Sequence, residues 1–365
     1  MRAFLKTLTL NLAVLVFLLG VVELLFGAWL FGPDLTDIGV KRNVHKVLDA
    51  SSLYPGGERI VYTRDARGLR GEYGHPGGID ILAIGGSTTD ELFVSDGKTW
   101  LDVLRERFAA DGRPQVIVNA AVSGHTSYGH IEAFRRWLPR IKGLRARYVL
   151  AYIGINDVML EKPRKFDDFR LREYQKSSWY MVTSRSALMQ LYRDVKNAVL
   201  APRPDVRHGD GRELINAEWL PVTDPPDLEA ARRKHADLLA AYHDRLRVLS
   251  QLIREFGAEP IFVTQPRGDY RLREGRLFGY RDKSGRVATG GYTEIALFNG
   301  ETLRSCEVLE VTCIDLANAI SFVNGDLYDA MHTTPQGSRR IAETLYPLLA
   351  PHIKDRPENL PKPGG

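Results

Sequence analysis

Short apolar runs alternate along this chain with longer segments in which apolar residues recur every three or four positions. Runs rich in β-branched and aromatic residues predict strands, and nearly continuous runs are typical of strands that are covered on both faces of a parallel sheet. Five such runs predict the strands Ile79–Ile84, Gln115–Asn119, Tyr148–Ile153, Pro260–Thr264 and Leu309–Ile314.

Helices are predicted between these strands. After the first strand, Asp96 is placed to cap a helix whose inward face carries Leu101, Leu104 and Phe108, and Pro335 opens the last helix. Strands that alternate with helices in this way predict an α/β fold built on a five-stranded parallel, doubly wound sheet.

Four stretches depart from this alternation. Residues 33–78 are polar and rich in glycine, and they predict a stalk followed by irregular chain that leads into the first strand. Two insertions, 160–226 and 266–291, follow the third and fourth strands and are expected to form pocket walls, because loops there border the end of the sheet. Residues 353–365 are expected to be a flexible tail, which leaves 79–352 as the folded domain.

The N-terminus predicts a membrane anchor over residues 1–32. Arg2 and Lys6 precede Leu8–Phe31, a 24-residue run that is long enough to cross a hydrocarbon core of about 30 Å. A cleaved signal peptide is the alternative, but each small residue near the end of the run follows a large residue two positions upstream, so no cleavage site of the usual pattern occurs. The two cations predict a cytoplasmic N-terminus and a domain on the other side of the membrane, in the periplasm or at the cell surface.

Composition and net charge limit the classes of molecule that the protein is predicted to bind. The chain has 365 residues, 44% hydrophobic and 26% charged, as is typical of a globular protein with a substantial core. A net charge of +5 suits anionic lipid or an acidic glycan and is too small and too scattered to predict nucleic-acid binding. Cys306 and Cys313 can form a disulfide outside the cytoplasm, and neither they nor the histidines match a metal site.

Candidate chemistry lies where the predicted strands end. Ser87 follows two glycines after the first strand, an arrangement that exposes a nucleophile, although a plain polar turn is the alternative for this stretch alone. The pattern from Gly85 to Thr89 lacks the second glycine of the G-x-S-x-G elbow of α/β hydrolases.

Three further features follow later strands. Gly124 follows the second strand, where the absence of a side chain lets a backbone N–H face the cleft. Asn156 follows the third strand, and its amide can donate to a developing oxyanion. Asp329 precedes His332 by three residues, so that the carboxylate can reach the ring N–H and fix the tautomer of a general base.

Taken together, these residues resemble the SGNH (GDSL-type) hydrolase family, whose sequence blocks occur in this order. The resemblance covers about 79–161 and 314–349, and residues 230–265 fit the same fold less distinctively. Gly86 stands where the family usually has aspartate, and His125 stands where aspartate is frequent, while the blocks with Asn156 and with Asp329 and His332 are intact.

The resemblance implies a flavodoxin-like three-layer α/β/α domain and a serine esterase that needs no cofactor and no metal. By it, Ser87 attacks an ester carbonyl, His332 takes its proton and Asp329 orients the imidazole. The oxyanion then lies among the backbone N–H groups of Ser87 and Gly124 and the side chain of Asn156.

The expected substrate is an O-acyl group, most simply O-acetyl, on carbohydrate outside the cytoplasm. The arginines and tyrosines of the 266–291 insertion favour sugar over a long acyl chain. A lipid ester such as a lysophospholipid and acyl transfer to a sugar hydroxyl are alternatives that use the same residues. A non-catalytic glycan-binding or assembly protein is the alternative from another class, and the complete set of reactive side chains argues against it.

Overall fold

The computed structural model describes residues 2–29, 35, 37–171, 173–200, 214 and 216–357. Its centre is a parallel sheet of five strands in the spatial order Thr312–Ile314, Glu259–Val263, Ala146–Tyr152, Ile79–Gly85 and Ile117–Asn119, which confirms the predicted α/β class and the parallel five-stranded sheet. The strands are β1 (Val44–Leu48), β2 (Ile60–Arg64), β3 (Ile79–Gly85), β4 (Ile117–Asn119), β5 (Ala146–Tyr152), β6 (Trp219–Pro221), β7 (Glu259–Val263), β8 (Arg271–Arg273), β9 (Arg276–Arg281), β10 (Val287–Ala288) and β11 (Thr312–Ile314).

Helices cover both faces of this sheet. The helices in the described part of the chain are α1 (Arg2–Phe26), α2 (Ser87–Asp90), α3 (Trp100–Ala110), α4 (Ser127–Glu132), α5 (Ser178–Thr183), α6 (Ala187–Leu200), α7 (Leu228–Lys234), α8 (Ala236–Glu255), α9 (Tyr292–Leu309), α10 (Leu316–Ala319) and α11 (Pro335–Leu349). Helix α1 does not pack on the sheet. The predicted strands are displaced by one to three residues at some ends; for example, α9 runs on to Leu309, so that β11 begins only at Thr312.

Apolar residues on opposite faces of the sheet form two separate cores. Ile81 and Leu82 are adjacent on β3 and both are fully buried, yet they belong to different clusters because successive side chains of a strand point to opposite faces. Burying a side chain of this size stabilises the fold by roughly 1.5–3 kcal/mol. The central strands are therefore rigid supports for the loops that follow them.

Parallel pairing brings the predicted reactive loops to one edge of the sheet. In the register of β3 with β5, Gly85 lies opposite Tyr152, so the turn with Ser87 and the turn with Asn156 begin side by side. The loop after β4 contains Gly124. The loops after β7 and β11 begin at the same edge, because all five strands are parallel.

Residues 37–78 differ from the predicted stalk. Strands β1 and β2 form an antiparallel hairpin, and Tyr62, Arg64, Leu69 and Arg70 are buried. The sequence of this segment has no sustained apolar period, because its buried positions include two arginines that bind the loops of the domain.

Helix α3 is capped by Thr99 and not by Asp96. The Thr99 side chain accepts a hydrogen bond from Asp102 N, and the Asp102 side chain accepts one from Thr99 N, so the two residues form a capping box. Asp96 instead accepts hydrogen bonds from Arg70 and Thr63 and ties the hairpin to the domain.

Both insertions contain secondary structure. The first carries α5 and α6, and its residues 201–213 and 215 lie outside the described residues. The second forms a small antiparallel sheet of β8, β9 and β10, to which β6 of the first insertion adds a strand.

The C-terminal part of the domain is held by two further contacts. Cys306 and Cys313 form a disulfide that joins α9 to β11. Residues 353–357, predicted as part of a flexible tail, pack on the domain: Ile353 is buried and Arg356 pairs with Asp80. Residues 358–365 of that tail lie outside the described part of the chain.

Helix α1 is long and apolar enough to cross a membrane over Phe4–Phe26, and the rest of the protein buries none of that stretch. A signal sequence passes the same test of length and composition. The predicted run continued to Phe31, but the helix ends at Phe26, and residues 30 and 31 lie outside the described residues.

Candidate active site

Ser87 and His332 meet at the carboxyl edge of the sheet, although 245 positions separate them in sequence. Ser87 is the first residue of α2, directly after Gly86, and its Oγ lies 2.8 Å from His332 Nε2. That is hydrogen-bond distance, short enough for the imidazole to take the hydroxyl proton.

Asp329 binds the other side of the same imidazole. Its Oδ2 lies 2.7 Å from His332 Nδ1, and its Oδ1 accepts hydrogen bonds from the backbone N–H groups of Met331 and His332 at 2.7 Å each. Burial favours the neutral acid, but the hydrogen bond and charge interaction with His332 and the two backbone donors outweigh it and lower the pKa of Asp329. An ionised Asp329 holds the Nδ1 proton and leaves Nε2 to act on Ser87.

Aromatic side chains pack the imidazole from one side. The rings of Tyr328 and His332 are nearly parallel, at 9°, with centroids 5.6 Å apart, and Tyr54 stacks on Tyr328 with centroids 6.0 Å apart. Tyr54 also donates a hydrogen bond to the backbone oxygen of Phe93, so its ring is fixed at both ends. This packing restricts rotation of the imidazole away from Ser87.

The side chain of Asn156 lies over the turn that presents Ser87. Its Nδ2 donates to the backbone oxygen of His125 at 2.9 Å, and a Cβ added at Gly86 would lie only 2.2 Å from that nitrogen. Glycine at position 86 therefore leaves room for the amide beside the nucleophile. An aspartate side chain at position 86, which is usual in the family that the sequence resembles, would collide with the Asn156 amide in this backbone.

Gly124 completes the set that the sequence predicted. Its φ of +85° is in the left-handed region that glycine adopts readily, and the Phe166 ring is 3.6 Å from the place where a Cβ would be. Phe166 belongs to the first insertion and is 48% exposed, so it forms a partly open wall at this loop. In the described part of the chain, the backbone N–H groups of Ser87 and Gly124 donate no hydrogen bond, which keeps both available to an oxyanion.

The arrangement has the parts that acyl transfer requires: a hydroxyl nucleophile, a base, a carboxylate that orients the base, and uncommitted donors near the nucleophile. Among the residues that the structure describes, no group of three or more His, Cys, Asp or Glu side chains is placed to hold a metal ion.

Several supporting residues were not predicted from the sequence. The first is Gln265, directly beyond β7, whose amide bridges two of the reactive loops. Its Nε2 donates to Thr88 Oγ1 at 2.8 Å and its Oε1 accepts from Ile155 N at 2.7 Å, so it joins the residue after Ser87 to the residue before Asn156. Asn299 on α9 fixes the Gln265 backbone through a hydrogen bond to its N–H and another to its C=O.

A second supporting group is a buried ion pair from the N-terminal hairpin. Arg64 Nη2 lies 2.6 Å from Asp90 Oδ1 at the end of α2 and 2.5 Å from the backbone oxygen of Ala121, while Ser123 Oγ donates to Asp90 Oδ2 at 2.5 Å. Desolvation opposes ionisation of Asp90, but the charge of Arg64 and these hydrogen bonds hold its pKa well below the usual range. The pair ties α2, which begins with Ser87, to the loop that contains Gly124.

Arg70 and Glu91 secure the end of the same short helix. Arg70 donates to the backbone oxygens of Asp90 and Val94, and Glu91 Oε1 accepts from Thr333 Oγ1 at 2.7 Å, next to His332. Burial raises the pKa of Glu91 to about 7, although its hydrogen-bond donors oppose the shift. No spacing in the sequence marks these residues, because their partners lie tens to hundreds of positions away.

His125 has a structural position. It is buried against Phe169 and His130, and desolvation lowers its pKa to about 3, so the ring is neutral at physiological pH. Its contribution to the site is the backbone oxygen that holds Asn156.

Three arginines of the second insertion, which was expected to favour sugar, make their contacts within the protein. Arg267 pairs with Asp269 and Arg281 pairs with Glu218, while Arg271 is buried with its guanidinium over the Trp219 ring. Arg271 and Arg281 join strands of the small antiparallel sheet, and Arg267 binds within the loop before β8. They add no support for recognition of an acidic sugar.

Comparisons with known proteins agree with this geometry. Residues 83–264 match the GDSL-like lipase/acylhydrolase family. No curated protein matches the chain.

Solved structures that resemble the chain are distant. The psychrotrophic esterase EstA from Pseudoalteromonas is 11% identical with a TM-score of 0.41, covering 75% of this chain and 98% of its own. An acetyl-xylooligosaccharide esterase from Geobacillus is 15% identical with a TM-score of 0.41, covering 74% and 94%. A lipase/acylhydrolase from Enterococcus faecalis is 13% identical with a TM-score of 0.38, covering 76% and 100%.

The family match spans the strand and turn of Ser87, the loop of Gly124 and the turn of Asn156, and Asp329 and His332 approach Ser87 from beyond it. The alternative of a non-catalytic binding protein does not account for that combination. The chain belongs to the GDSL-like lipase/acylhydrolase family and is an ester-hydrolysing enzyme.

Proposed function

We propose that this protein is a serine esterase that removes O-acyl groups, most simply acetyl groups, from carbohydrate, and that α1 anchors it in a membrane with the catalytic domain outside the cytoplasm. The observation that carries the catalytic part is the continuous hydrogen-bonded chain from Ser87 through His332 to Asp329, with distances of 2.8 and 2.7 Å.

In the first half of the reaction, Ser87 Oγ attacks the ester carbonyl while His332 Nε2 takes the hydroxyl proton. Asp329 remains ionised and stabilises the imidazolium that forms. The carbonyl oxygen becomes an oxyanion, and the backbone N–H groups of Ser87 and Gly124 and the amide of Asn156 donate to it. When the tetrahedral intermediate collapses, the alcohol leaves with the proton from His332, and the acyl group stays on Ser87.

In the second half, a water molecule gives its proton to His332 Nε2 and attacks the acyl-serine. The second oxyanion uses the same donors, and its collapse releases the carboxylic acid and restores the Ser87 hydroxyl. A sugar hydroxyl in place of water would give acyl transfer by the same steps.

The catalytic assignment is tested by covalent labelling. We expect an organophosphonate probe to label Ser87 in the folded full-length protein, with the modified peptide identified by mass spectrometry, because the probe reacts with an activated serine. Unlabelled Ser87 in active protein would assign the nucleophile elsewhere.

Replacing Asn156 with alanine is expected to lower kcat by about 10²–10³ and to change KM little, as loss of one oxyanion donor does. Asn318→Ala is the matched control, because Asn318 is exposed and its amide donates to Asp315 within its own turn. Steady-state kinetics on a soluble acetyl ester measures both constants. An effect confined to KM would make Asn156 a ground-state binding residue.

The proposal of a short acyl group is supported by the Phe166 ring, which lies 3.6 Å from the place where a Cβ at Gly124 would be and so limits the room beside the proposed oxyanion site. We expect kcat/KM to be highest for acetyl esters and to fall for chains of about ten carbons or more, because a long chain needs a continuous apolar trough. The measurement is a chain-length series of p-nitrophenyl esters, with an acetylated polysaccharide alongside.

Lipid-ester hydrolysis is the second candidate, because a large apolar surface on α5 and α6 lies beside α1. A maximum of kcat/KM at long chains, together with release of fatty acid from a lysophospholipid, would assign the enzyme to lipid esters.

The anchor is proposed from Arg2, Lys6 and the span Phe4–Phe26. A C-terminal alkaline phosphatase fusion is expected to be active, and intact mass is expected to show an uncleaved chain. A mature chain that begins near residues 28–33 would remove the anchor and leave export intact.

A further inference from the structure

The described surface of the catalytic domain has one concentration of exposed apolar side chains. Outside α1, eight of the fifteen large hydrophobic residues that are exposed lie on α5 and α6, which makes this a patch and not scattered surface. Its members are Trp179, Met181, Val182, Leu191, Tyr192, Val195, Val199 and Leu200.

The patch follows helical geometry on α6. Leu191, Val195 and Val199 are spaced by four residues and line one face, while Arg193 and Lys196 lie between them on other faces. A helix of this kind at a protein surface normally turns its apolar side inward. Here that side is exposed: Leu191 is 60% exposed and Val199 is 76% exposed.

Hydrogen bonds fix the start of α6 to the end of α1. Glu23 accepts from Ser186 Oγ at 2.6 Å, from Ala187 N at 3.1 Å and from Leu188 N at 3.1 Å, so a carboxylate of α1 caps α6. Ala28, just beyond α1, donates to the backbone oxygen of Arg185 at 2.8 Å.

If α1 spans the membrane, these contacts fix the depth of the α5–α6 junction relative to the bilayer. Glu23 is three residues before the end of the span Phe4–Phe26, so the junction lies where α1 leaves the hydrocarbon. From there α6 runs toward the hairpin of the domain, and its Asp194 reaches within 3.8 Å of His45 on β1.

We propose that α5 and α6 lie in the membrane interface beside α1, with their apolar face in lipid, and that they hold the catalytic domain against the bilayer. The occupant is lipid because the patch lies on helices whose junction is hydrogen-bonded to α1, the one helix in the described chain that can span a membrane. Its composition fits as well: Trp179 and Tyr192 are side chains that favour the headgroup region, and the exposed Lys196 on another face suits anionic headgroups. This inference rests on the proposed anchor and is independent of the esterase assignment.

Matched cysteine labels on the full-length protein test the proposal. Cys306 and Cys313 are the only cysteines and are joined in the disulfide, so one introduced cysteine can be labelled specifically. Val199→Cys reports the patch, Val308→Cys reports a valine on α9 of similar exposure, 71% against 76%, and Val14→Cys reports the span. Each variant carries an environment-sensitive fluorophore and is reconstituted in phosphatidylcholine–phosphatidylglycerol vesicles with or without brominated acyl chains.

The proposal expects brominated chains to lower the emission at position 199 by about two-fold or more, as at position 14, with little change at position 308. Emission at 199 that matches 308 would overturn it. A blue-shifted emission without quenching would also overturn it, because a second copy or another protein would then cover the patch. Absence of quenching at position 14 would show that α1 does not span the bilayer, and it would overturn the proposal because the proposal rests on that anchor. Hydrolysis of a soluble ester in the same samples tests the catalytic site separately.

A charge variant supplies a second measurement. Leu191→Asp combined with Val195→Asp in the Val199→Cys background is expected to reduce the quenching at 199 to the level at 308, because two carboxylates oppose burial of this face in lipid. Unchanged hydrolysis of a soluble acetyl ester shows that the domain remains folded. Quenching that persists in this variant would contradict insertion through the apolar face.

Discussion

Replacing Ser87 with alanine is expected to lower kcat for ester hydrolysis by at least about 10⁴-fold, because the covalent route requires this hydroxyl and the remaining donors give only the residual rate of a site without its nucleophile. The substitution removes one oxygen from the first turn of α2, where the Ser87 side chain, among the described residues, hydrogen-bonds only to His332. Far-ultraviolet circular dichroism and the midpoint of denaturation are expected to stay close to those of the wild type.

Thr89→Val is the matched control for this experiment. Thr89 lies two residues further along α2, and its Oγ1 is buried without a hydrogen-bond partner among the described residues, so exchanging the hydroxyl for a methyl group removes no bond. Activity within a few-fold of wild type is expected for Thr89→Val. Substantial activity in Ser87→Ala, measured on protein purified away from other esterases, would refute the assigned nucleophile.

The sheet and the three side chains of the hydrogen-bonded chain were predictable because their signals are local. Each central strand is a short apolar run, and Ser87 and Asn156 lie just beyond two of them. Asp329 and His332 form a D-x-x-H pattern between β11 and α11. Parallel topology then brings the ends of these strands together without further information. Predicting that the strands are parallel is therefore enough to place the loops that follow them at one edge of the sheet.

The supports of the site were not predictable in this way. Arg64 and Gln265 act on residues 26 and 177 positions away, and neither lies in a motif of its own. A buried arginine also breaks the apolar period by which a strand is recognised, which is why 33–78 was interpreted as a stalk. Such contacts depend on tertiary packing, and a single sequence holds no record of it.

The cap of α3 shows the same limit at short range. Asp96 and Thr99 are both good capping residues, and only the reciprocal bonds with Asp102 select Thr99. Asp96 is then available to Arg70 of the N-terminal segment, so the local choice of cap and the long-range docking of the hairpin are coupled.

Replacing Arg64 with methionine is expected to lower the free energy of unfolding by about 3–5 kcal/mol near pH 8, because it leaves the carboxylate of Asp90 buried without its cation. Arg64 and Asp90 have side chains that are only 3% and 2% exposed, so water cannot replace the lost partner. The loop with Gly124 also loses the bond from Arg64 to Ala121, and kcat is expected to fall with KM less affected. Arg59→Met is the control, because Arg59 is an exposed arginine next to the same strand.

The pH dependence separates loss of the ion pair from loss of packing. In the wild type the pKa of Asp90 lies below its unfolded value of about 3.9, so the pair stabilises the fold above that pH and its contribution is lost as pH falls through the folded value. In Arg64→Met the unpaired carboxyl is expected to have a pKa raised above the unfolded value by burial, so the variant gains stability relative to wild type as pH falls from 8 toward 5. Chemical denaturation of the full-length protein at both pH values, followed by near-ultraviolet circular dichroism, measures the difference. A difference that does not narrow at pH 5 would mean that Arg64 acts mainly by packing and not by balancing the charge of Asp90.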